Sequence, residues 1–119
     1  MLKRVLGAVV AVAVAFILAG TALAEKICVK YGQCPLDLSS FDCRDATRSS
    51  FIGQVCYDAD QTFMVVLLRD IYYPYCAIDE ATVEAFLTAP SMGRFYNENI
   101  RSPLGGGYGP FDCRVRPMP

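Results

Sequence analysis

The chain has 119 residues, six cysteines, no histidine, no tryptophan and a formal net charge of −1. The missing histidine excludes His-based general acid–base catalysis and Ser-His or Cys-His nucleophile pairs. The charge balance offers no basic field for a polyanion, and without a C-x-x-C pair the usual zinc and thioredoxin-type spacings are missing.

Met1-Leu2-Lys3-Arg4 is a positive start, Val5 to Gly20 is almost wholly apolar, and Thr21-Ala22-Leu23-Ala24 follows. Charge, apolar run and small-residue site in that order describe a secretory signal peptide, residues 1–24, cut between Ala24 and Glu25. The run is also about long enough to span a bilayer as a retained anchor, but its small-residue end points to cleavage. Residue 21 is Thr rather than Cys, so lipidation there is excluded. The expected location is periplasmic or secreted, with membrane contact confined to the signal segment. Cleavage leaves 95 residues, one domain near the lower size limit of a self-sufficient core. All six cysteines lie in that part, as expected of up to three disulfides in an oxidising compartment. No metal and no cofactor is expected.

Residues 25–48 read as an irregular, cysteine-containing N-terminal extension, in which Cys28 and Cys34 flank a short loop around Gly32. Phe41-Asp42-Cys43-Arg44 recurs as Phe111-Asp112-Cys113-Arg114, which makes Cys43 and Cys113 look like equivalent ends. Three strands follow. The first runs from Phe51 to Tyr57 and a turn at Asp58-Ala59-Asp60-Gln61 ends it. The second, Thr62 to Leu68, is apolar on both faces and therefore central. Arg69-Asp70 links it to the third, Ile71 to Ile78, where Pro74 marks an edge or a kink.

Helical spacing begins at Asp79, a candidate N-cap, with Val83, Phe86 and Leu87 on one face, and stops at Pro90. Ser91 caps a second helix, Met92 to Ile100, with Gly93 placed for the close approach of another backbone. Residues 103–119 form a Gly/Pro-rich C-terminal extension. Its glycines read as a flexible tether and Phe111 to Arg116 as a short returning strand. The expected fold is α+β: a small three-stranded antiparallel meander with two short helices on one face, stapled by disulfides. Six cysteines allow fifteen pairings. The expected set is Cys28–Cys34, Cys43–Cys113 and Cys56–Cys76, the last requiring the first and third strands to be adjacent or nearly so.

The carboxylates Asp58, Asp60, Asp70, Asp79, Glu80 and Glu84 mostly fall at turns or a helix start, where capping accounts for them. The tyrosines are the candidate binding groups. Tyr73 and Tyr75 share one face of the third strand, either as packing or, with Arg94 and Arg101, as an aromatic platform for a ligand or base.

The blocks Ser49-Ser50-Phe51-Ile52-Gly53, Tyr57-Asp58, Tyr73-Pro74-Tyr75, Ala89-Pro90-Ser91-Met92-Gly93-Arg94-Phe95-Tyr96-Asn97 and Ile100-Arg101 resemble the KTSC domain in order and spacing. The resemblance covers residues 49–102. It implies a domain of about sixty residues with no established activity, also found at the C-terminus of some lysyl-tRNA synthetases, a context that has suggested RNA binding. The signal segment, the cysteines and the tail mark this chain as an exported variant. Two readings follow. One is a non-catalytic binding or interaction module, with another envelope protein as a candidate partner. The other is a nucleic-acid or nucleotide binder using the Tyr73/Tyr75 face, with Arg94, Tyr96 and Arg101 beside it. Export argues against a nucleic-acid partner.

Overall fold

A computed structural model describes residues 25–119; the expected signal segment lies outside the described residues. Among the described residues six strands precede two helices: β1 Lys26–Ile27, β2 Leu36–Asp37, β3 Asp42–Asp45, β4 Ile52–Asp58, β5 Phe63–Leu68, β6 Ile71–Tyr75, α1 Glu80–Thr88 and α2 Met92–Asn99. β1 and β2 form a small hairpin. The other four make one antiparallel sheet in the order β3-β4-β5-β6.

The expected meander is therefore present, but the sheet has four strands rather than three. The added strand, β3, comes from the extension read as irregular. Its sequence Asp-Cys-Arg-Asp carries no apolar alternation, because it is an edge strand exposed along most of its length. A charged edge also resists pairing with other chains.

β5 lies between β4 and β6, and its two faces serve two cores. Met64 and Val66 face a cluster with Val83 and Phe86 of α1 and Met92 and Tyr96 of α2. Phe63 and Val65 face the opposite cluster, with Val29, Leu36 and Leu38 from the N-terminal extension. Both helices pack on one face, as expected, and the N-terminal hairpin covers the other. β4 carries a bulge at Gly53, where Ile52 pairs with Leu68 but Gln54 pairs with Leu67. The extra residue brings Ile52 onto the helix face with Val55 and Tyr57.

The turns are held by the residues that mark them in the sequence. The buried Asp58 carboxylate accepts from the backbone N–H groups of Asp60 and Gln61, the Gln61 side chain and the Ser40 hydroxyl. Arg69 takes φ 56° in the two-residue β5–β6 connection, a conformation glycine usually supplies. Ser91 caps α2 by accepting from the Arg94 N–H at 3.2 Å. Asp79 precedes α1 but bonds the Thr82 hydroxyl rather than a backbone N–H. The far end of α1 is held by Arg48, whose guanidinium donates to the carbonyls of Leu87 and Ala89. It supplies the positive charge that the last turn itself lacks.

Cys28 bonds Cys34 as expected, but the other two disulfides are Cys43–Cys56 and Cys76–Cys113. The expected Cys56–Cys76 bond fails because β5 separates the strands. Two strand spacings are about 10 Å, beyond the 4.4–6.8 Å typical of bridged Cα atoms. Cys43 instead lies directly across the β3–β4 ladder from Cys56, with Cα atoms 4.0 Å apart. Cys76 follows β6 and takes the tail cysteine.

The tail forms turns rather than the expected strand. Its sheet contacts are one bridge, Tyr75 to Asp112, and one bond from the Cys76 N–H to the Phe111 carbonyl at 2.8 Å. Nor are all its glycines tether. Around Gly105 the space is open, whereas a Cβ on buried Gly109 would stand 2.7 Å from the Ile100 carbonyl oxygen. Gly93 also allows a close approach, but of the Phe51 ring rather than a backbone. Gly109→Ala is expected to destabilise the oxidised protein by about 1–3 kcal/mol, and Gly105→Ala by less than about 0.5 kcal/mol. Denaturant titration of both variants checks the contrast.

Candidate functional site

The outer edge of β6 is closed at both ends. The Lys30 N–H donates to the Tyr72 carbonyl, and the Cys76 N–H to Phe111. By strand alternation the position facing outward between them is Pro74, which has no N–H to leave unpaired. The two extensions thus meet beside β6, and they frame a cleft of about 690 Å³. Its inner wall is Phe51, Leu68, Tyr73, Tyr75 and Tyr96. Asn97, Arg101 and Ser102 line the end of α2, and Asp112, Arg114 and Met118 come from the tail. Tyr31, from the Cys28–Cys34 loop, stands at the N-terminal side.

Tyr75 and Tyr96 are 8% and 7% exposed, packed edge to face, with their hydroxyl oxygens 2.6 Å apart. Burial pushes both phenols above their ordinary ionisation range, most strongly at Tyr75. Both remain neutral donors and acceptors at any physiological pH. The pair joins β6 to α2, so it is part of the helix-facing core as well as the inner wall of the cleft.

Among the described residues three charged side chains line the cleft. Arg114 and Asp112 are committed to each other: Nε and Nη2 of the arginine donate to the two carboxylate oxygens at 3.0 and 2.7 Å. Those bonds hold the Asp112 carboxyl below its ordinary range. The Arg114 guanidinium also lies 5.1 Å from the Tyr31 ring centroid and 4.6 Å from that of Tyr108, tying the N-terminal loop to the tail. Arg101 is half-buried and has no ion-pair partner among the described residues. It lines the same cleft as the tyrosine pair, and its charge partly opposes the upward shift at Tyr96.

Of the residues singled out in the sequence, Tyr73, Tyr75, Tyr96 and Arg101 converge on this cleft. Arg94 lines a separate, shallower hollow with Arg48 and Ser91. Tyr73 is half-buried, with the Lys30 ammonium 5.5 Å from its ring centroid. Tyr31, Arg114 and Met118 were not legible as site residues. Tyr31 lies in the N-terminal extension and the other two in the tail, and they meet only through the disulfides and the folded sheet. No group of three or more His, Cys, Asp or Glu side chains suited to a metal ion comes together among the described residues.

Fold and site together define a small disulfide-stapled α+β domain with one face of its sheet under helices and an aromatic cleft at its edge. Residues 48–103 match the family model of the KTSC domain, and this part of the chain is a KTSC domain. The cleft is built partly by that domain and partly by the extensions on either side of it. No curated protein and no solved structure matches the chain.

Tyr75→Phe leaves the Tyr96 hydroxyl without its partner and is expected to cost about 1–3 kcal/mol. The double variant Tyr75→Phe/Tyr96→Phe should cost less than the two single variants added together. The pH dependence has a definite sign. Unfolded tyrosines lose their protons near about pH 10, while the buried pair keeps them. The unfolded chain then binds fewer protons, so stability falls as pH rises through about 10. Chemical denaturation between pH 8 and 11 should show this decline, flattened in the double variant.

Proposed function

We propose that the protein is an exported, non-catalytic binding module that takes a ligand in the cleft between β6, α2 and the tail. The observation that carries this reading is the cleft itself. At about 690 Å³ it falls within the range of small-molecule sites, roughly 300–1,000 Å³. Its wall is mostly aromatic and aliphatic, with polar groups at the end of α2 and on the tail, the usual division between affinity and orientation.

The placement of the acidic groups supports a non-catalytic role. Asp58 serves the β4–β5 turn, Asp79 the start of α1, and Asp112 the Arg114 pair. The tyrosines support a cleft rather than a stacking platform. A base-stacking surface needs exposed rings, and Tyr75 and Tyr96 are buried with their hydroxyls on each other. Export is supported by the three disulfides, with no free cysteine among the described residues, which suit an oxidising compartment.

A fragment screen on the oxidised protein, read by amide NMR shifts, tests the reading. Binders should shift Leu68, Tyr73, Arg101 and Ser102 together, and those shifts should weaken when Cys76 and Cys113 are both replaced by Ser. Shifts scattered over the surface, or confined to the hollow around Arg94, would overturn it.

A further inference from the structure

The site at the end of α2 also specifies the kind of ligand. We infer that the cleft is built for a small monoanion with an aromatic or branched apolar body, its carboxylate held by Arg101. This inference rests on the cleft being a binding site and adds the chemistry of what it binds.

Two observations concern the lining of this cleft. The first is charge. Arg114 and Asp112 neutralise each other through a two-pronged contact. Arg101 is left as the single uncompensated charge among the lining residues, half-buried and without a carboxylate partner among the described residues. A partly desolvated guanidinium gains from an anion, and its planar fork matches a carboxylate in two-pronged geometry. The protein as a whole is slightly acidic, so the preference is local to this wall and is not a general attraction for anions.

The second is a spare donor. Two tyrosine hydroxyls carry two O–H protons, and the Tyr75–Tyr96 bond uses one of them. The other has no acceptor among the described residues, and both tyrosines line the cleft. A carboxylate oxygen in the cleft would accept that proton while the second oxygen meets Arg101.

The backbone presets the arginine. The Arg101 N–H donates to the Tyr96 carbonyl at 3.0 Å, and buried Gly109 of the tail lies against the Arg101 carbonyl. Head-group binding therefore needs little rearrangement of the chain. Beyond the head group, Phe51, Leu68, Tyr73 and Met118 offer apolar surface for the body of the ligand.

The test compares 2-naphthoate with its uncharged isostere 2-naphthamide on the oxidised protein, by calorimetry and by amide NMR shifts. The acid is expected to bind at least tenfold more tightly than the amide. Raising the salt concentration should narrow the gap. Arg101→Gln should abolish the preference, and Arg94→Gln, outside the cleft, should leave it intact. Because the acid–amide comparison is made first on the unaltered protein, an Arg101 variant that folds poorly does not remove the test. Equal binding of acid and amide, with shifts at the cleft residues, would overturn the anion inference and leave the binding module standing. No shift at the cleft with either compound at millimolar concentration would overturn both.

Discussion

The bond between Cys76 and Cys113 is the constraint on which the rest of the site depends. Cys76 directly follows β6, so the bond fixes the tail beside the one sheet edge that also carries Tyr73 and Tyr75. Closing a loop of this length lowers the entropy of the unfolded chain by an amount worth about 3–4 kcal/mol. The weaker contacts follow from it. Phe111 accepts from the Cys76 N–H, Arg116 donates to the Ala77 carbonyl, and Gly109 seats against the end of α2. Asp112 and Arg114 are then in place beside Tyr31, and the cleft has its outer wall.

The same arrangement decides which surfaces are left to function. One sheet face is under the helices and the other under the N-terminal hairpin. The β6 edge is closed by residues of both extensions, with Pro74 between them, and the β3 edge is charged. Strand addition, a common way for a small sheet to recruit a partner, thus meets an obstacle on each side. The concave surface between sheet edge, helix end and tail is where apolar side chains and an uncompensated cation coincide.

Much of the KTSC portion was legible because its signals are local. The doubly apolar run of β5 announces an inner strand, Pro90 and Ser91 mark the helix junction, and the family blocks coincide with the elements that pack together. What was not legible depends on tertiary placement. β3 lacks apolar alternation, since its role is to carry a cystine and close an edge. The pairing of Cys56 turns on whether a strand intervenes, which no cysteine spacing reports. Gly109 has the same local sequence character as the open glycines before it, yet only Gly109 is pressed against a backbone. Arg101 was a candidate by type, but its value lies in having no counter-ion, a property of the assembled cleft.

Two disulfides set this connectivity, the tail tied to the end of β6 and the N-terminal extension to β4. Tryptic mapping of the unreduced protein tests it directly, because the basic residues separate the cysteines. Residues 27–30, 31–44 and 49–69 should remain together through Cys28–Cys34 and Cys43–Cys56. Residues 70–94 and 102–114 should form a separate pair through Cys76–Cys113. One species that joins both groups, through Cys43–Cys113 or Cys56–Cys76, would contradict the sheet order and the cleft with it.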